Sequence, residues 1–307
     1  MTATVTLGVA LAVLSALCYA FASVAATKDA RANGGRGTAV LLSVLLTALL
    51  SGGAWLFVGP PLPAASPQLW TGVAAFSTAG LLATVLGRVS FFRSIELAGV
   101  IETSLLRRLI PVFATVLAMV VLGERLSPQI LAAFALIFAG IAIVWISAPP
   151  MAAQAESARD AGARMTGRAL AVVSAASYGG AYVARKLGIA GLPDPLLGTA
   201  IGAGAGIAFF CLAALVSRGF AAQLAAVGRR PTGWQLAAAS GISIGQILLF
   251  LALVYAGVAT VAIIASVEMF FAAWLAGFVF RTERRPGGAF ALASALAFLG
   301  VSVLALV

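Results

Sequence analysis

Of 307 residues, 62% are hydrophobic and only 9% charged, with a mean hydropathy of +1.10, whereas a soluble domain has roughly 45–50% apolar and 25% charged residues. This excludes a soluble globular protein. The formal charge of +10 would point to nucleic acid in a soluble chain, but here it is dispersed over short loops and reads as a topology signal. Histidine is absent, and Cys18 and Cys211 both fall inside apolar runs. No disulfide framework, metal motif or histidine proton relay is therefore expected.

Ten apolar runs reach the ~20 residues needed to cross a bilayer as helix. In chain order they are 5–26, 38–58, 69–87, 99–122, 128–147, 167–187, 195–217, 233–255, 258–280 and 286–306. The first lacks a basic n-region and is as long as the others, so it reads as a span, not a cleaved signal. A stiff, uncharged loop, Gly59 to Ser66, leads to Pro67 at the start of the third span, where a missing N–H costs nothing. That third span can extend into 88–98. After the fifth, two prolines (Pro149 and Pro150) and a polar stretch as far as Met165 predict a flexible cytoplasmic linker. The seventh and eighth spans carry GxxxG pairs, Gly198/Gly202, Gly202/Gly206 and Gly241/Gly245, read first as close helix packing.

The segment Ala10 to Tyr19 recurs as Ala169 to Tyr178, an offset of 169 − 10 = 159. Later landmarks keep nearly that step: Phe92 with Phe250, Ala98-Gly99 with Ala256-Gly257, Phe113 with Phe271 and Gly140 with Gly300. Each half holds five spans, and five is odd, so the second copy enters the membrane from the opposite side. The expected fold is an all-α integral membrane protein, with ten transmembrane helices forming two inverted five-helix repeats. Residues 1–147 form the first repeat, 148–165 the linker and 166–307 the second repeat. Such symmetry lets one sequence close towards either side in turn, which is alternating access.

Loops after odd-numbered spans hold twelve basic residues: Lys28, Arg31, Arg36, Arg159, Arg164, Arg168, Arg218, Arg229, Arg230, Arg281, Arg284 and Arg285. Loops after even-numbered spans hold three, Arg125, Arg185 and Lys186. The positive-inside rule puts the odd loops in the cytoplasm and both termini outside the cell (inner) membrane.

Ionisable residues within spans are the useful anomalies, since an arginine at a helix centre costs ~2.5–3.5 kcal/mol on translocon scales. Arg107 and Arg108 lie mid-run in the fourth span, and Pro111 removes the hydrogen bond to the Arg107 carbonyl and kinks the helix. The acids are Glu102 in the same span and Glu268 in the ninth. A two-fold axis relating the two spans would let Arg108 and Glu268 meet as a buried, switchable pair. These charges would line a substrate site or, alternatively, form an internal salt bridge that fixes packing. Arg88, Arg93 and Glu96 lie nearer the interface, where snorkelling explains them; Arg93 is the best functional candidate of the three. Tyr19 and Tyr178 are repeat equivalents and candidates for the pocket wall, as are Gln246, Phe250 and Tyr255. Arg185 and Lys186 read as anchors at the end of span six.

The order Ala98-Gly99, Leu109-Ile110-Pro111-Val112-Phe113 and Leu122-Gly123-Glu124-Arg125-Leu126 resembles the first repeat of the EamA family, in the drug/metabolite transporter superfamily. Val267-Glu268-Met269-Phe270 and Thr282-Glu283-Arg284 echo it in the second half, with Met269 where a proline is usual and no glycine before Glu283. The resemblance implies a ten-helix inverted-repeat exporter or exchanger. Helices 1, 3, 4, 6, 8 and 9 would line its cavity, with 5 and 10 at the periphery. Family substrates range from amino acids and amines to drugs, nucleotide-type metabolites and lipid-linked sugars. Family members are generally drawn with both termini in the cytoplasm, against the loop count here.

The expected function is secondary transport of a small organic metabolite, anionic or zwitterionic because arginine's planar fork suits carboxylate or phosphate. Glu102 and Glu268 are the acids placed to carry a coupling proton. No GxxxxGK[ST] motif is present, so no nucleotide site or other cofactor is expected. The expected partners are the small-molecule substrate, membrane lipid and protons, with no nucleic acid, in a monomer or homodimer. The alternative is a flippase of a phosphate- or sugar-bearing lipid, whose cavity would open sideways. An enzyme is disfavoured by the absence of histidine, clustered acids and a nucleophile motif. A scaffold would not need buried charges.

Overall fold

The computed structural model of the chain describes residues 2–33, 39–147, 158–227, 231–282 and 287–305, and every regular element among them is helical. The first half contains α1 (Thr2–Asn33), α2 (Ala39–Val58), α3 (Pro67–Leu81), α4 (Arg88–Ala98), α5 (Val100–Arg107), α6 (Ile110–Leu122) and α7 (Pro128–Ile146). The second contains α8 (Ala158–Gly191), α9 (Pro195–Val216), α10 (Arg218–Val227), α11 (Gly233–Tyr255), α12 (Val258–Ala265), α13 (Glu268–Trp274) and α14 (Gly288–Ala305). A π-helical turn, Leu82–Gly87, carries α3 into α4 without a break, so the third span runs the full Pro67–Ala98.

Among the described residues nine helical runs are long and apolar enough to cross a membrane. The thirty-four-residue α8 is not one of them, because Arg164, Arg168, Arg185 and Lys186 dilute its hydropathy. It still contains the whole of 167–187, expected as the sixth span, and it starts at Ala158. The stretch 158–165, expected as linker, is therefore helix. The rest of that linker, 148–157, lies outside the described residues. The short α10 was not foreseen; its Phe220 packs on Phe209 and Phe210 of α9, with centroids 6.1 and 5.7 Å away.

Three helices start on one local device, a capping side chain followed by proline. Ser66 accepts from the Leu69 N–H at 3.2 Å and Ser127 from the Ile130 N–H at 3.3 Å. Asp194 accepts from both Leu196 and Leu197 at 3.0 Å. In each case Pro67, Pro128 or Pro195 follows, its fixed φ already helical. The start of α11 is held by a capping box between Thr232 and Gln235. Asp29, at the end of α1, then accepts from the Thr232 hydroxyl (2.6 Å) and the Gln235 amide (3.0 Å).

Small residues let the helices cross closely, as lipid supplies no hydrophobic force between them. Gly198, Gly202 and Gly206 of α9 face Phe76, Gly80 and Thr84, which recur every four residues along α3 and its π turn. On α11, Gly241 and Gly245 face Cys18 and its neighbours on α1, and the Ser15 hydroxyl donates to the Gly245 carbonyl at 2.7 Å. Thus α1 packs on α11, while α8 packs on α3 and α4; α2 meets α9, and α7 meets α14.

The glutamate of the Gly123-Glu124-Arg125 segment has a structural task. Its carboxylate accepts from the N–H groups of Val258 (2.8 Å) and Ala259 (3.3 Å), capping α12 from across the molecule. Lys186 seals the preceding helix end, donating to the carbonyls of Leu253 (2.5 Å) and Ala256 (3.0 Å) at the close of α11. Replacing Glu124 with alanine uncovers two helix N–H groups, so the melting curve in detergent should report a loss of about 1–2 kcal/mol. An unchanged melt would show that the cap carries no weight.

Candidate functional site

Two interrupted helices frame the centre of the molecule. Between α5 and α6 the hydrogen-bond ladder tightens for one turn, with Arg108 N–H donating to Leu105 and Leu109 N–H to Leu106. Pro111 at the second position of α6 explains the interruption, because it has no N–H for the Arg107 carbonyl. Between α12 and α13 the same thing happens at Ser266 and Val267, whose N–H groups reach Ile263 and Ile264. The two breaks are 266 − 108 = 158 residues apart, the step that relates Phe113 to Phe271. The second occurs with Met269 in place of proline, and there the Ser266 hydroxyl also donates to the Ile263 carbonyl at 2.5 Å. Discontinuous helices at mid-membrane are where transporters place substrate and coupling groups.

Between these breaks one stripe of α8 projects: Tyr178, Tyr182 and Arg185, spaced i, i+4, i+7 on a single helix face. Arg185 is only 6% exposed. Its guanidinium lies 4.8 Å from the Phe250 ring and 5.6 Å from Tyr182, and Tyr19, Tyr178 and Arg88 are within electrostatic range. Its Nε has no hydrogen-bond partner. Arg107 repeats the theme, 4.3 Å from the Phe91 ring and 5.1 Å from Tyr178, again with a buried Nε that is not bonded. Tyr182 lies within electrostatic range of Arg185, Glu268 and Arg107.

Glu268 opens α13 from the other side and accepts from the Ser23 hydroxyl of α1 at 3.0 Å. Ser23 is the repeat counterpart of Tyr182 (182 − 23 = 159), as Tyr19 is of Tyr178. Arg108 lies within electrostatic range of Glu268, yet no ion pair joins them among the described residues. The expected pair is open in this conformation.

The remaining expected residues fall into two groups. Phe250 stands inside the cluster, between the Arg185 guanidinium and the tilted ring of Phe76, and Gln246 sits one turn before it on the same face of α11. Three others lie outside it. Arg93 is exposed and paired with Glu96 at 2.6 Å, because the unbroken α4 turns its side chain away from α8. Tyr255 is at the far end of α11 beside Gly8, 36% exposed. Glu102 lies in the first turn of α5, which begins at Val100, clamped by Arg164 and Arg168 of α8.

Arg185 and Tyr182 are not among the expected pocket residues, yet both are buried in this cluster. The apolar run suggests that span six closes at 187, which makes Arg185 a terminal anchor. In the folded chain α8 continues to Gly191, so Arg185 is six residues, or ~9 Å, inside the helix. The signal that would have found it is the spacing Tyr178, Tyr182, Arg185. Lys186, one residue on, also lies inside α8 and bonds the end of α11 instead.

The cluster thus sets Arg107 and Arg185 against the rings of Phe91, Tyr178, Tyr182 and Phe250, with Arg108 within electrostatic range of Glu268. A buried arginine costs several kcal/mol unless an anion completes it. Stacking leaves the edge of the guanidinium fork free for a carboxylate or phosphate. No cluster of three or more metal-ligating side chains occurs among the described residues.

Among the described residues, an all-helical fold with nine apolar runs long enough to cross a bilayer fits a multi-pass membrane protein. Residues 6–146, which hold all of α2 to α7 and most of α1, match the EamA-like transporter family. The matched stretch is just under half of the chain, and over it the chain is similar to EamA-like transporters. A solved structure described only as "Crystal structure of protein" is similar over 98% of this chain and 96% of its own, with a TM-score of 0.69 at 18% identity. At that identity the likeness concerns the fold alone. No curated protein matches the chain.

Proposed function

We propose that the protein is a secondary transporter, an exporter or exchanger, of a small anionic or zwitterionic organic metabolite. It works by alternating access around the cavity between its two halves. The observation that carries this reading is Arg185, a deeply buried guanidinium that no carboxylate pairs with among the described residues, set among Tyr19, Tyr178, Tyr182 and Phe250. Arg107 supplies a second fork, and Gln246 a polar group on the wall. A carboxylate or phosphate bound between the two forks would offset the desolvation of both.

The inverted ten-helix arrangement is supported by reciprocal packing. The first helix of each half, α1 or α8, lies against the third span of the other half, and the paired breaks at Arg108 and Ser266 repeat the relation. In this reading α8, the sixth in order, completes the ten spans and is polar because it carries the site. The basic loops face the cytoplasm of a cell (inner) membrane, with both termini outside.

Glu268 is the coupling acid, facing Ser23, Tyr19, Tyr182 and Arg108. Closing the gap between Arg108 and Glu268 would compensate two charges in one conformation, and opening it frees Arg108 in the other. Glu102 takes no part in coupling; it ties the start of α5 to the start of α8. In vesicles holding the full chain, counterflow of labelled amino acids and dicarboxylates should reveal a substrate. An imposed pH gradient should drive its accumulation in wild type but not in Glu268→Gln, which retains gradient-free exchange. A variant that still responds to the gradient would remove Glu268 from the coupling role.

A further inference from the structure

Near its start, α8 comes flush against the end of α4. A Cβ on Gly167 would lie 2.7 Å from both the backbone nitrogen and the Cβ of Ala98, so a glycine is needed for the helices to touch there. The second repeat contact is its copy. Gly8 of α1 is the counterpart of Gly167 (167 − 8 = 159), and Ala256 is that of Ala98 (256 − 98 = 158). A Cβ on Gly8 would lie 2.9 Å from the Ala256 Cβ and 3.2 Å from its nitrogen. In each case the first helix of one half meets the other half at the corner leading into its interrupted span. The corners are Ala98-Gly99 before α5 and Ala256-Gly257 before α12. In the inverted layout the two contacts lie on opposite sides of the membrane.

What flanks the two contacts differs. Arg164 and Arg168 stand either side of Gly167 on α8, and both donate to Glu102 in the first turn of α5. Arg164 does so through Nε at 2.8 Å, and Arg168 through Nε at 2.8 Å and Nη2 at 3.1 Å. At the other contact the same repeat steps lead from Arg164, Arg168 and Glu102 to Val5, Val9 and Thr260. Val9 and Thr260 are buried there, and Val5 packs on the same core as Val9. One contact is therefore braced by charge and the other by apolar packing. Salt screens the first, whose arginine side chains are 40% and 47% exposed, and has no ion pair to screen at the second.

We infer that these two glycine–alanine contacts are the gates of the alternating-access cycle, and that Glu102 makes the one at the start of α8 an ionic lock. The inference rests on the transport reading above. Both gates are shut in this conformation, which is the occluded one. Opening the first moves α8 away from the corner between α4 and α5; opening the second moves α1 away from the corner between α11 and α12. Because only the first is held by charge, neutralising Glu102 shifts the balance towards opening on the side of the odd-numbered loops.

The test is pulsed EPR on the full chain in lipid nanodiscs, with Cys18→Ala and Cys211→Ala removing the native thiols. One pair of spin labels, at Glu96→Cys and Thr166→Cys, spans the charged contact; its repeat counterpart, at Leu7→Cys and Val254→Cys, spans the other. All four positions are exposed. The parent should give mainly short distances at both pairs. Glu102→Gln should raise the ratio of long to short distances about tenfold at the charged contact, the scale of a partly exposed clamp with several charge-assisted bonds, and leave the other pair unchanged. Molar sodium chloride should do the same to the parent and add nothing to Glu102→Gln. Gly167→Leu, which wedges the contact and keeps all three charges, should lengthen the same pair and decides the matter should Glu102→Gln fail to fold. An unchanged distribution in either folded variant, or equal lengthening at both pairs, overturns the lock. No substrate enters the measurement, so distances that shift as stated in a chain without counterflow would uphold the lock and sink the transport reading.

Discussion

Arg185→Gln should abolish substrate binding without destabilising the empty protein. Losing one partner of a buried charge pair with the substrate costs 2–5 kcal/mol or more, about 30- to 5,000-fold in affinity. In the absence of substrate the balance reverses. The variant gives up stacking on Phe250 and Tyr182, worth about 2 kcal/mol when desolvated, but it also removes a buried charge whose desolvation costs several kcal/mol. The second effect is the larger, so the ligand-free variant should melt no lower than wild type. A melt several degrees below wild type would mean that Arg185 is a packing residue.

Gly80→Leu should cause the largest loss of stability in the protein. A Cβ on Gly80 would lie 2.0 Å from the Gly202 carbonyl oxygen and 2.6 Å from its carbon. Both are backbone atoms of a facing helix, which no rotamer change can move. The α3 and α9 axes would have to separate along the whole Phe76, Gly80, Thr84 stripe. Overpacking that side chains can absorb costs 1–3 kcal/mol, and this case should exceed ~3 kcal/mol. Gly204→Leu is the control on the facing helix α9, since nothing lies within 4 Å of its Cβ position; it should melt within about 0.5 kcal/mol of wild type. Similar melts for the two variants would contradict the close crossing.

Much of this arrangement is legible in the chain. The spans follow from runs of apolar residues, and the cap-proline starts at Ser66, Ser127 and Asp194 fix several of their beginnings. Pro111 locates the break after Arg107, and the glycine spacing of α9 marks its packing face. What could not be read is where a polar helix ends and which way its charges point. Span six is diluted by its own site residues, so its end was placed near Arg185 when the helix runs on to Gly191. Glu102 was expected within span four as an acid placed to carry a coupling proton; a glycine at φ +84° stops α4 at Gly99 and makes Glu102 a first-turn residue of α5. The break at Ser266 had no proline to announce it. Only its register with Arg108 in the repeat could have done so.

Ligand-induced thermal stabilisation of the purified full chain tests the transport reading most directly, with amino acids, organic anions, organic cations and polyprenyl phosphate as the panel. A substrate at 100 times its Kd stabilises by ~2.7 kcal/mol. Small anions or zwitterions should raise the melting temperature of the wild type and leave that of Arg185→Gln unmoved. Stabilisation by organic cations alone, or by anions equally in both proteins, would contradict an arginine-centred site.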